Sequence, residues 1–289
     1  MKDYLIKAII KDRPIRLVAC LTTELTNEAR KKLNLWPTAS AALGRVMSAT
    51  LMMGSNLKNE EVLSVTINGG GPIGTIITTT NGKGDIKGFV ANPDVHYTYN
   101  DTGKLAVGIA VGNQGYLQVV RDMGLKEPFS SQVALQTGEI GDDFTYYYAV
   151  SEQTPSAVSL GVLVNENNEV IASGGFIIQL MPEATNDDIK LVETALENCK
   201  PVTELIKDGL TPEAILNNLF SNVELLDKQE LKYFCNCSKD QMTKALLTIG
   251  SEELNNMIKE DHGCEIKCHF CNTKYIFNEE ELTAMIETL

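Results

Sequence analysis

The chain lacks any apolar run approaching the roughly 18 uncharged residues that a membrane-spanning helix needs. Its first residues, MKDYLIKAIIKDR, carry a charge every few positions and no small-residue cleavage site, so they read as a strand and not as a signal peptide. A cytoplasmic protein with no membrane partner is expected. There is no internal repeat and no low-complexity segment. No G-x-S-x-G elbow is present to carry a nucleophilic serine. NGGGPIG (68–74) is glycine-rich, but a strand pattern follows it and no Lys-Ser/Thr pair completes a phosphate loop. It reads as a turn. The one histidine before the C-terminal region, His96 in DVHYTYN, sits in a loop pattern. These absences leave no catalytic residue to name, and the chain does not read as an enzyme.

Basic charge is scarce where acid is plentiful. Residues 1–182 hold 17 acidic and 15 basic side chains, whereas 183–289 hold 21 and 10. From residue 229 onward the count is 11 to 6. Phosphate contacts need Lys and Arg, so a nucleic-acid partner is not expected. An acidic surface also serves plain solubility.

Proline is absent after Pro212, and the texture of the chain changes with it. The expected fold class is α+β: a β-rich mixed core domain (1–182) with a long buried helix, a helical linker (183–228), and a small C-terminal zinc-binding domain (229–289). YLIKAII and RLVACLTT are β-branched runs parted by the turn KDRP. TASAALGRVMSATLMMGSNLK (38–58) has apolar or small residues nearly all round, which predicts a buried helix, and Pro37 suits its first turn. VLSVTI, GTIITTT and DIKGFVA read as a meander with glycine turns. GYLQVVRDMG, VALQTGEIG, FTYYYAVSEQ, AVSLGVLV and VIASGGFIIQLMP read as further strands. Residues 183–220 predict two amphipathic helices, one through Ile189, Val192, Ala195 and Leu196, the other from Thr211-Pro212 through Ile215, Leu216 and Leu219. Ser238 with Gln241, Ser251 with Glu252 and Glu253, and Asn278 with Glu281 each predict a helix start.

Seven cysteines remain to be explained: Cys20, Cys199, Cys235, Cys237, Cys264, Cys268 and Cys271. Cys20 in a strand and Cys199 at a helix end read as small half-buried or buried thiols. The others crowd the C-terminus. CNC (235–237) and CHFC (268–271) each present two sulfurs to one point, and two such pairs make the four thiolates of a tetrahedral zinc site. CHFC is not a thioredoxin-like motif, because no βαβ pattern surrounds it. Some 60 residues with few large apolar groups rarely fold without a metal or another staple. Tyr233, Phe234, Phe270, Tyr275 and Phe277 are the expected small core around the metal. Cys264, His262 and His269 are nearby ligand types; His269 is expected to face solvent and Cys264 to be a bystander, or else a spare ligand or extra redox thiol. Thiolates are also what peroxide and hypochlorous acid oxidise. The same four sulfurs can therefore be a metal site or disulfides. Structural zinc contributes about 10–16 kcal/mol of apparent folding free energy in small domains, so its loss would unfold the unit and loosen the helical connector.

C-x-C, a gap of about thirty residues and C-x-x-C resemble the mark of the redox-regulated heat-shock protein 33 chaperones. CNCS, LGRVMSATLMMGSNLK, GGGPIGTIITTTNGKGDIKGFV, SEQTPSA and GGFIIQLMP extend the resemblance over nearly the whole chain. The resemblance implies a zinc-bound, inactive reduced form held by Cys235, Cys237, Cys268 and Cys271. It implies disulfides Cys235–Cys237 and Cys268–Cys271 on oxidation, zinc release, a disordered linker, homodimers, and ATP-independent binding of unfolded client proteins under oxidative stress. Cys264 is extra to the pattern and bears on the partner Cys268 takes. A zinc-stabilised scaffold without a redox switch is the competing reading.

Overall fold

The computed structural model describes residues 2–58 and 60–289, in two compact units that divide between Phe234 and Cys235. The sequence placed the start of the last unit at residue 229. The difference arises because residues 223–233 are strands bonded into the sheets of the first unit.

The first unit runs β1 (Tyr4–Ile10), β2 (Ile15–Leu21), α1 (Thr23–Leu33), α2 (Pro37–Met53), β3 (Val62–Asn68), β4 (Ile76–Asn81), β5 (Asp85–Val90), α3 (Val107–Val111), β6 (Tyr116–Asp122), β7 (Phe129–Ala134), α4 (Gly141–Val150), β8 (Ser156–Val164) and β9 (Val170–Leu180). It continues with α5 (Asn186–Glu197), α6 (Val202–Lys207), α7 (Pro212–Leu219), β10 (Val223–Glu230) and β11 (Lys232–Tyr233). One sheet has the order β10-β1-β2-β9-β8 and is antiparallel throughout. The other has the order β11-β5-β4-β3-β6-β7, with only β11 parallel to its neighbour.

Helix α2 lies between the sheets, packed on β8, β9 and β2 of the first and on β3, β4 and β5 of the second. All of its residues but Pro37 and Arg45 are buried. That is why its sequence is apolar or small on every side. Its hydroxyls are satisfied internally: Ser48 Oγ bonds Thr22 Oγ1 at 2.7 Å, and Thr50 Oγ1 bonds Thr78 Oγ1 at 2.7 Å. A Cβ at Gly44 would stand 2.6 Å from Thr26 Cγ2, so glycine is what lets α1 come this close.

The opposite face of the first sheet carries a second apolar cluster. Tyr4, Ile6, Ala8 and Ile10 of β1, with Ile15 and Leu17 of β2 and Phe176 and Ile178 of β9, meet Val192, Val202, Leu205, Ile206, Ile215, Leu216 and Phe220. The acidic connector therefore covers a sheet face. Arg13 fixes its start by an ion pair to Asp188 at 2.6 Å. Tyr4 donates to Glu213 at 2.6 Å near its end.

Two sequence expectations are corrected here, and one helix is added. FTYYYAV is helix α4 and not a strand. The Asp143 carboxylate accepts the N–H groups of Gln136 and Ile140, which starts a helix, and Phe144, Tyr147 and Tyr148 then share its buried face. Residues 24–33 carried no expectation; with Thr23, the last residue of the run RLVACLTT, they form α1, with Leu25, Ala29 and Leu33 inward. The connector holds three helices and not two, since α6 is too short for its periodicity to register, and it ends in β10.

The second unit comprises α8 (Lys239–Leu247), α9 (Ser251–Asp261), β12 (Gly263–Lys267), β13 (Lys274–Asn278) and α10 (Glu279–Ile286). The starts of α8 and α10 follow the sequence expectation: Ser238 accepts the Gln241 N–H, and Asn278 forms a capping box with Glu281. Helix α9 begins one residue earlier than expected, with Gly250 as its cap. Its buried core is only Leu246, Leu254, Phe277, Leu282 and Met285. Among the described residues, no helix is long and apolar enough to cross a membrane.

Candidate metal centre

Cys235 and Cys237 enter the second unit on the segment just before α8, whose Ser238 cap fixes the turn that follows Cys237. Cys268 and Cys271 occupy the tight turn between β12 and β13. There the Cys268 N–H donates to Thr273 O at 2.9 Å, and the Asn272 N–H donates to Cys268 O at 2.8 Å. Asn272 takes the left-handed conformation (φ 58°) that closes the knuckle.

The four sulfurs lie within 4.8 Å of one another. Cys235 and Cys268 sulfurs are 3.7 Å apart and those of Cys237 and Cys271 3.4 Å. Four sulfurs held about 2.3 Å from a tetrahedral ion stand about 3.8 Å apart. The spacing fits a four-thiolate metal site and is far longer than a disulfide bond, which measures about 2.05 Å. All four cysteines are free thiols here.

Their surroundings differ. Burial pushes the Cys235 thiol well up, and the neighbouring thiols of Cys237 and Cys268 add to this. Cys268 is raised too, chiefly by burial. Burial also opposes ionisation of Cys271, but the Thr273 hydroxyl, the Thr273 backbone and the thiols of Cys237 and Cys268 bring it down to about 7. Cys271 is thus drawn toward the thiolate while Cys235 and Cys268 are held toward the thiol. The Tyr275 hydroxyl donates to Cys237 Sγ at 3.1 Å. Thr273 and Tyr275 were not singled out as sulfur partners from sequence. The only hint was their place immediately after the knuckle.

Cys264 is not among the four. It lies on β12 opposite Phe277 and packs with the small apolar core. His269 is exposed, as expected, and His262 caps the end of α9, its ring against Glu279. Of the five aromatics expected around the metal, Phe277 is the buried one in this unit and Tyr275 and Phe270 are half-buried. Tyr233 belongs to the first unit's core, its hydroxyl donating to Gly88 O at 2.9 Å. Phe234 is 47% exposed under the Lys232 ammonium. Strand β11 pairs with β5, and the Phe234 N–H donates to Ile86 O at 2.8 Å, which places both residues in the first unit.

An α+β sheet unit covered on one face by an acidic helical segment, followed by a small unit in which four thiols converge, defines an α+β protein with a candidate four-thiol metal centre. The comparisons name the family. The profile of the Hsp33 protein family matches residues 3–278. The 33 kDa chaperonins of Staphylococcus aureus strains Newman and COL are each 49% identical over 289 residues, covering 99% of both chains. The crystal structure of the 33 kDa chaperonin (heat shock protein 33 homolog) from Thermotoga maritima superposes with a TM-score of 0.92 at 34% identity, covering 100% of this chain and 99% of that one. The chain belongs to the Hsp33 family, and that membership supports a chaperone function.

Proposed function

We propose that this chain is a redox-regulated holdase that binds unfolding proteins in the cytoplasm under oxidative stress. The observation that carries the reading is the four-sulfur cluster of Cys235, Cys237, Cys268 and Cys271. It sits in a unit whose buried core is five side chains. Zinc bound there would cross-link two distant segments and keep the sulfurs as thiolates.

In the resting form the thiolates hold the small unit together and the connector covers the first sheet. Peroxide or hypochlorous acid then takes two electrons from each pair of thiolates, leaving one disulfide per pair, and the reduced oxidant takes up protons from solvent to leave as water, or as water and chloride. The pairs are Cys235–Cys237 and Cys268–Cys271. Each lies within one short segment, so each can close while the unit comes apart. The consumed thiols can no longer ligate, and residues 235–289 lose their staple. The 183–228 connector then loosens and uncovers both its own apolar faces and the sheet face beneath it. Clients bind these surfaces without ATP, and activated chains associate as homodimers. Cys264 packs in the small core and is a bystander in this scheme.

The test is light scattering of a chemically unfolded client diluted into buffer with either the reduced, zinc-loaded chain or the chain oxidised at mildly elevated temperature. Suppression by the oxidised form alone is expected. Equal behaviour of both forms would remove the switch and leave a zinc-stabilised scaffold.

A further inference from the structure

The first sheet ends at β10, and β10 matches its neighbour poorly. β1 is buried over most of its length; Tyr4, Leu5, Ile6, Ala8 and Ile10 are at most 8% exposed. β10 reads VELLDKQE, and every residue except Val223 and Gln229 is exposed, with Leu225 at 50% and Leu226 at 56%. Its side chains bury little. What seats it is the backbone ladder, from Tyr4 opposite Glu230 to Ile10 opposite Val223, with a register shift between Lys7 and Ala8. Two polar clamps add to this. Lys7 meets Asp227 at 2.8 Å, and Lys228 lies 3.8 Å over the Tyr4 ring while reaching Glu213 at 3.0 Å. The charges along β10 also guard the edge against stray pairing.

We propose that β10 is a placeholder strand. When the connector loosens, β10 leaves β1, and an extended apolar segment of an unfolded client takes its place as the antiparallel edge strand. The inference rests on the redox reading above. The ladder asks only for N–H and C=O groups on an extended chain, which every unfolded polypeptide offers whatever its sequence. β10 demonstrates that a strand fits there. Alternate side chains of the incoming strand would rest beside the row Tyr4, Ile6, Ala8 and Ile10, which Ile215, Leu216 and Phe220 cover at rest. An apolar segment gains there what the polar β10 does not. The vacated slot thus supplies affinity through the backbone and selects for exposed apolar sequence through the face.

Amide hydrogen exchange on the full chain tests this in three states: reduced and zinc-loaded, oxidised, and oxidised with reduced, carboxymethylated α-lactalbumin as a permanently unfolded client. On oxidation, alternate amides of Leu5–Ile10 should exchange at least about tenfold faster, and the client should restore that protection. Client held with β1 exchange unchanged on oxidation overturns the placeholder and leaves the redox reading standing. Protection that appears instead along β8, the sheet's other edge, overturns it likewise. Protection that grows with protein concentration and without client assigns the slot to a second copy and also overturns it. An oxidised chain that holds no client at all overturns the redox reading and this inference together.

Discussion

Leu216→Ala should make the resting protein leak activity. Leu216 is fully buried on α7 and packs in the cluster under the first sheet. Truncating such a leucine costs about 2–5 kcal/mol, the transfer loss plus the cavity left behind. At about 1.4 kcal/mol per tenfold, the opening equilibrium of the connector rises by roughly thirtyfold to a few thousandfold. Residue 216 is remote in sequence from the four cysteines, so metal content and its loss on oxidation should be unchanged. The assays are exchange of the 212–219 amides, a colorimetric count of metal released, and client light scattering. The expected result is faster connector exchange, normal metal release, and partial suppression of aggregation by the reduced variant. A reduced variant whose connector opens by that factor while it holds no client would refute the claim that covering this face keeps the chain inactive.

Cys268→Ser leaves three thiolates, and its unit has too small a core to fold alone. Metal binding should weaken by several kcal/mol and the NMR dispersion of residues 235–289 should collapse; a metal-loaded, folded variant would contradict the four-sulfur assignment. Tyr275→Phe removes the O–H bond to Cys237 Sγ and should cost about 1 kcal/mol, read as a lower midpoint for unfolding of the C-terminal unit; an unchanged midpoint would show the bond idle. Cys264→Ala should keep the metal stoichiometry and the activation rate, lowering only the unit's stability; slowed activation would give this thiol a redox role. Asp3 is buried at the start of α1, where it accepts the Glu24 and Leu25 N–H groups. Burial lifts its carboxyl from 3.8 to about 7, against the pull of those N–H groups. The folded chain therefore holds an extra proton between these values, and stability falls as pH climbs from about 4 to about 7. Asp3→Asn should flatten that fall by up to about a few kcal/mol of unfolding free energy, read by urea titration across this pH range; an unchanged pH profile would contradict the shift.

Local sequence determined much of this protein. Two close cysteine pairs pointed to a metal site or a redox centre, because thiols at one- and two-residue spacing can present two sulfurs to one ion. The all-round apolar stretch with Pro37 at its head determined a buried helix, since no other place satisfies such a surface. Side-chain caps at Ser238 and Asn278 determined two helix starts, because a cap acts over three residues. The tertiary structure decided what acts over longer range. FTYYYAV is β-prone residue by residue, and the helix won because its aromatics share one face against the core. Residues 223–228 look like the tail of a linker and 229–233 like the start of the last unit, yet they form β10 and β11, because β1 and β5 had edges left to pair. Tyr233 and Phe234 sit beside Cys235 in sequence but belong to the other unit, since β11 carries them into its sheet. That the acidic connector covers an apolar sheet face is likewise a tertiary fact. A sequence shows that a helix has an apolar side; only the fold shows what that side hides.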